Sequence, residues 1–347
     1  MQQKLFLLII SASYFLIGCT HKQNSLRDYN LKGNVIKVYE NTFEAENKFG
    51  KWEMGEKKYY GNNAMTFNES GFITEFISYD RHNKIDEREV ISYADNNTSS
   101  GSSVFDSDGK LKSQFIYTKD SKNRIIKSQR YDSEGAIDAT YIFEYGSSDN
   151  SINGKYINKE GKVESSWKNE WDGDFLKLQL RYDTLGKIES KSFYERNENS
   201  DLTLAKFTNA IDSITSKIKI TYEYDNQNNW VKKTVYDTDG NIDAFVTRRI
   251  IYEGSTGSQL SSKELIGIWK EVDENDWIEF KKDETYDKGY NENIRDFGKW
   301  ELNEDQKTLT LKSNDADNSK KYSYSYEEQK LILSTIEGKE RTEYERR

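Results

Sequence analysis

The sequence predicts an all-β protein: an antiparallel meander of repeated hairpins, laid out as an open twisted sheet or a short solenoid, followed by a smaller β-barrel domain. Three observations point there. Aromatic residues make up 14% of the 347-residue chain, 24 of them Tyr, although the mean hydropathy is −0.96. Polar chains that stay disordered are poor in aromatics, and Tyr, Phe and Trp favour pleated, half-buried surfaces. Proline is absent, which leaves turns to Gly, Asn and Asp, residues that tolerate positive φ. Finally, one short turn-and-strand unit recurs along most of the chain.

The chain opens with a leader. Lys4 precedes thirteen mostly apolar residues, Leu5 to Ile17, too few for a membrane-spanning helix, which needs ~20. Their length suits the apolar region of an export signal. Leu16-Ile17-Gly18-Cys19 resembles the lipobox of bacterial lipoproteins, and Cys19 is the only cysteine. That resemblance implies cleavage after residue 18, acylation of Cys19 and a membrane anchor in the cell envelope. Thr20 rather than Asp follows the Cys, which is compatible with sorting to the outer membrane. Residues 19–30 read as a polar tether. With Cys19 acylated no disulfide can form.

Residues 31–253 carry the repeat. Its unit is an aromatic, Asp or Asn, two variable residues, Gly or Asn, one more, then an aliphatic. It appears at Phe67–Ile73, Tyr79–Ile85, Phe105–Leu111, Tyr131–Ile137, Asn158–Val163, Tyr182–Ile188, Tyr224–Trp230 and Tyr236–Ile242. Asp at the head of a type I turn accepts bonds from the backbone ahead of it. Gly in the left-handed conformation closes the hairpin with a bulge. Val163, Trp167 and Trp171 are expected on one strand face, and Leu176, Leu178, Leu180 and Tyr182 on one face of the return strand. Residues 31–60 read as a longer first hairpin that caps the array. Leu204, Phe207, Ile211, Ile214 and Ile218 fall at three- and four-residue spacing, which predicts an amphipathic helix over 200–217. The repeat resembles the YD repeats of Rhs and teneurin-type proteins and short repeat chains of exported Bacteroidota lipoproteins, over residues 60–253.

Residues 254–263, rich in Gly and Ser, read as a linker. From 264 to 347 the rhythm changes to short strand candidates introduced by Gly267-Ile-Trp269. This segment resembles the small lipocalin-like domains of bacterial lipoproteins. The resemblance implies an indole, that of Trp269, across the barrel floor under an Arg of the last strand, Arg341 or Arg346. Tyr322, Tyr324 and Tyr326 share a strand face, where they either line a ligand cavity or fill the interior.

The chemistry that is missing narrows the function. His21 and His82 are the only histidines, which excludes Cys/His zinc sites, and Ser-His or Cys-His nucleophiles as well unless His82 acts alone. No cofactor or metal is expected. The net charge of −9, with charges interspersed, disfavours nucleic acid. Asp80, Asp106, Asp132, Asp183 and Asp237 are explained by their turns. The reading is a lipid-anchored, non-enzymatic binding or scaffold module for protein or glycan, with Trp167 and Trp171 either its platform or its core. Two alternatives stand beside it: a carrier of a small apolar molecule in the C-terminal barrel, and a glycoside hydrolase using paired carboxylates.

Overall fold

The computed structural model describes residues 25–94, 98–253, 260, 262–272, 274–304, 306–314, 319–327, 330–336 and 340–346. Cys19, the leader and most of the 254–263 linker lie outside the described residues. The chain divides into two units at Glu253/Gly254.

In the first unit one turn design repeats. At Asp132 the carboxylate Oδ1 accepts the N–H groups of Glu134 and Ala136 at 3.0 and 2.9 Å. The Asp132 N–H donates to the Ala136 carbonyl at 2.9 Å, and Gly135 donates back to the Asp132 carbonyl at 3.1 Å. Gly135 sits at φ 85°, the left-handed region that costs a residue with a Cβ ~1–2 kcal/mol. The same pattern holds at Asp80, Asp106, Asp183 and Asp237, and with Asn at 158 and 209. After most turns the register shifts by one residue, a bulge that keeps the strands twisting.

The expected open sheet or solenoid is not what these hairpins build. The first strand, Val35–Lys48, is the reason. On one edge Val38 opposes Met65 of the strand Asn62–Phe67, and on the other it opposes Ile250 of the strand Ile242–Tyr252. Every strand between those two pairs with its sequence neighbour. Sixteen strands of the 17-stranded sheet therefore close into an antiparallel barrel, and the strand Lys51–Lys57 extends the first strand beyond the ring. Closure removes both edges of the meander, which would otherwise template aggregation.

The helix expected over 200–217 is also absent. Leu202–Asn209 and Ile214–Tyr224 are strands, joined by a turn in which Asp212 takes the left-handed position at φ 65°. Phe207 and Ile218 face inward on neighbouring strands, whereas Ile211 and Ile214 lie exposed at the turn. A strand folded back on itself imitates helical spacing.

Residues 25–30, expected in the tether, belong to the barrel. A one-turn helix at Ser25–Asp28 begins a strap that runs to Asn34 across one end of the ring. The Leu26 N–H donates to the Gly71 carbonyl at 3.1 Å, and Arg27 pairs with Asp174. Asn30 donates to Asp201 at 2.8 Å, and the Lys32 N–H to Asn229 Oδ1 at 2.8 Å. Four turns from around the ring are thus tied together. Leu26 and Leu31 pack with Val35, Val38, Met65, Phe67 and Ile73 into the main apolar cluster at that end.

The second unit is a closed barrel of eight strands, from Gly267–Glu271 to Arg341–Arg346, sealed by Trp269 opposite Arg346. The two-part architecture predicted from the sequence, an open repeat array followed by a small lipocalin-like barrel, gives way to two closed antiparallel barrels.

Candidate functional site

The register fixes which side chains face the lumen of the large barrel. Following the cross-strand partners gives rungs such as Tyr117–Ser128–Tyr141–Tyr156–Ser165 and Phe143–Gly154–Trp167–Arg181–Ser190. Along them aromatic rings are interspersed with Ser128, Ser165 and Ser190, the small Gly154 and the charged Arg181. The rings of Tyr141 and Tyr156 lie 5.3 Å apart, and Phe143 meets Trp167 edge-on at 6.1 Å. Phe115, Tyr117, Tyr141, Tyr156 and Tyr194 are half-buried, not sealed. A ring of sixteen strands is too wide for its side chains to fill.

The opposite face is mixed, with charged side chains standing between outward Phe105, Ile116, Leu178, Leu180 and Phe193. Arg88, Lys168, Glu170, Lys219 and Glu223 point outward and are exposed. A barrel whose wall meets lipid needs an unbroken apolar band ~25 Å tall on its outside. On this wall charged side chains interrupt any such band. Among the described residues no helix is long and apolar enough to cross a membrane.

Trp167 and Trp171 both face the lumen, with Asn169 between them. The Trp171 Nε1 donates to the Ser151 carbonyl at 2.8 Å, and Asn169 donates to the same carbonyl at 3.3 Å. Trp167 lies flat over Gly154, where an added Cβ would stand 2.2 Å from its ring. Gly154 is a close-approach glycine, kept small so that the indole can cover its strand. A bulge after Ser165 turns Val163 to the outer face, away from the two tryptophans. A second bulge places Leu176 inside, opposite Trp171, while Leu178, Leu180 and Tyr182 face out.

Sequence reasoning missed a charged sector of the same lumen. Arg248 donates to Glu40 Oε1 from Nε and Nη2 at 2.8 and 2.6 Å, and its guanidinium lies 3.5 Å from the Trp230 ring centroid. Lys233 lies 4.8 Å from the same ring. Burial opposes ionisation of Glu40, yet Arg248 and Lys233 hold its carboxyl below the usual range. The signal was available: in an alternating strand, Lys232-Lys233 and Arg248-Arg249 must each send one cation inward. Glu89 also faces in, its carboxyl pushed up by burial, with Glu87 adding to the rise. Near the strap Tyr252 donates to Asp225 at 2.6 Å, and burial with that bond pushes its hydroxyl up to about 12.

In the small barrel the interior is filled. Trp269, Ile278, Phe280, Tyr286, Trp300 and Leu331 form its core with Tyr324 and Tyr326, and Tyr322 packs against it half-buried. Trp269 is fully buried, donates to the Leu265 carbonyl at 2.7 Å, and meets Tyr326 edge-on at 5.8 Å. Arg346 lies 5.8 Å over the indole and donates to the Ile266 carbonyl at 2.7 Å, beside Gly267. The tyrosines that could have lined a cavity instead occupy it, which removes the ground for an apolar-ligand carrier. His82 is an exposed turn residue whose N–H caps Asp80 at 2.7 Å.

No protein-family profile matches the sequence, and no curated protein does. Among solved structures, the chain is similar to a porin-like protein from Bacteroides uniformis, at 14% identity and a TM-score of 0.44, over 63% of this chain and 99% of that one. A porin-like protein from Bacteroides vulgatus aligns over the same shares at 11% identity and a TM-score of 0.31. The Tc holotoxin pore of Photorhabdus luminescens aligns at 11% identity and a TM-score of 0.22, over 86% of this chain and 18% of that one. Similarity at this level transfers no activity.

Proposed function

We propose that the protein is a non-enzymatic glycan-binding barrel of the bacterial cell envelope, held to a membrane through acylated Cys19. The observation that carries this reading is the lumen wall, where half-buried rings are interspersed with serine hydroxyls and the amides of Asn169 and Gln179. Sugar rings present apolar C–H faces that stack on aromatics, and hydroxyls that need hydrogen-bond partners. A wide water-filled lumen with that lining suits a carbohydrate chain better than a protein segment, which would bring a large apolar face. The exposed charges spread over the outer wall, among them Arg88, Lys168, Glu170, Lys219 and Glu223, favour an anchored rather than an embedded barrel.

The test is binding of the purified protein to an oligosaccharide array, repeated with Trp167→Ala and Tyr141→Ala. The reading expects retention of specific oligosaccharides by the wild type and loss in both variants with a melting temperature close to the wild type. Undiminished binding in both variants, or no binding by the wild type, would overturn it.

A further inference from the structure

We infer that the lumen contains an anion site formed by Lys233 and Arg248, and that its occupant is the carboxylate of an acidic sugar. This rests on the glycan reading and narrows it to a substrate class.

The strand Trp230–Tyr236 sends Lys232 outward, where it pairs with Glu223 at 2.8 Å, and Lys233 inward. Among the described residues Lys233 has neither a hydrogen bond nor an ion pair; its one polar contact is the Trp230 ring. Arg248, 8% exposed, spends Nε and Nη2 on a single oxygen of Glu40. Its Nη1 is buried without a partner. Two cations therefore share one carboxylate. The other acid whose field reaches Lys233 is Asp201, and its oxygens are already occupied by Asn30 at 2.8 Å and the Tyr224 hydroxyl at 2.9 Å.

A buried donor left unmatched costs ~1–3 kcal/mol, and more when charged. Native interiors keep few such groups, so an orphaned guanidinium nitrogen beside an unpaired ammonium calls for an explanation. Burial pushes the Lys233 ammonium below the ordinary lysine range, with Arg248 adding to the shift and Glu40 opposing it. A second anion would restore the balance. A carboxylate supplies two oxygens at the spacing that a guanidinium and an ammonium can share, through charge-assisted bonds. The rings beside it decide what carries that carboxylate. Half-buried Tyr222 lies 6.0 Å from both half-buried Tyr224 and the buried Trp230, so Tyr222 and Tyr224 offer sugar-stacking rings beside the two cations. A hexuronate joins both chemistries in one residue.

The experiment is calorimetric titration of the full chain with tetragalacturonate and with its carboxyl-reduced neutral counterpart, on the wild type, Lys233→Met and Lys233→Arg. The wild type is expected to bind the acid form about tenfold or more tightly than the neutral form. Lys233→Met should erase that preference while leaving the neutral affinity unchanged, and Lys233→Arg should keep it. Equal affinity of the wild type for the two sugars, or a preference that survives Lys233→Met, overturns the anion site alone. Failure of the wild type to bind either sugar overturns the anion site, and the glycan reading falls with it only when the oligosaccharide array is also negative.

Discussion

The two barrels of this chain use the same residue types to opposite ends. Both are closed antiparallel meanders with aromatic-rich inner faces. In the eight-stranded one, Trp269, Phe280 and Leu309 are sealed, at 0%, 1% and 0% exposure. In the sixteen-stranded one, Phe115, Tyr141 and Tyr156 stay half-buried. Strand number, not composition, sets the difference. A ring of eight is narrow enough for its side chains to meet across the middle, and a ring of sixteen is not. The small barrel takes its stability from that core. The large one relies on sheet bonding, turn chemistry and the strap, and gains a lined lumen.

The comparison can be broken most sharply by truncating one indole in each barrel. Trp269→Ala should destabilise the small barrel by ~3–5 kcal/mol, read by denaturant unfolding, because it leaves a cavity in a packed interior. Trp167→Ala should cost the large barrel less than half of that, because its site already faces solvent. Equal costs would mean that the lumen is as tightly packed as the small core.

Next in size is the strap. Asn229, 1% exposed, accepts from the Lys32 N–H at 2.8 Å, and its amide lies 2.9 Å from the Lys32 carbonyl and 2.7 Å from the Tyr252 hydroxyl. Asn229→Ala should cost ~1–3 kcal/mol and raise hydrogen exchange of residues 25–34. Protection unchanged in the variant would show that the strap is not held by these bonds. The turns come after it. Gly135→Ala should cost ~1–2 kcal/mol, whereas an alanine at Glu134 in the same turn should cost almost nothing.

The smallest effect distinguishes a wet lumen from a dry core by pH. Burial holds the Glu89 carboxyl above its ordinary range. An acid raised in the folded state favours folding while protonated. It weakens folding as pH climbs from the unfolded value of ~4.3 through the folded one. Glu89→Gln should therefore melt higher than the wild type at pH 7, with the gap closing at pH 4. A gap that is constant across that range would contradict the assignment.

Much of this was legible in the sequence, and the parts that were not share a cause. Turns are local: Asp132 bonds to residues two and four ahead, so the motif alone specifies them. Closure is not local. It depends on Val38 finding both Met65 and Ile250, and nothing near Val38 distinguishes one partner edge from two. The mistaken helix at 200–217 arose because Ser200 and Asp212 take positions where the other turns use Gly or Asn, which hid two hairpin ends. Trp167 was visible as a ring on a strand face, but whether that face was core or lumen waited on the strand count. Glu40, Lys233 and Arg248 looked like solvated charges because their meeting requires closure, Glu40 and Arg248 being 208 positions apart in sequence.

The most direct test of the closed ring is a cross-link across its seam. Asn41 and Thr247 are cross-strand partners on the outer face, where Cα atoms lie ~4.5–5.5 Å apart and a disulfide can form. In Asn41→Cys/Thr247→Cys, with Cys19 replaced by Ser, mild oxidation should link the pair as completely as a control within the meander, Thr140→Cys/Ile157→Cys. A control that links while the seam pair stays reduced would mean that the sheet is open, and the lumen with its sites would not exist.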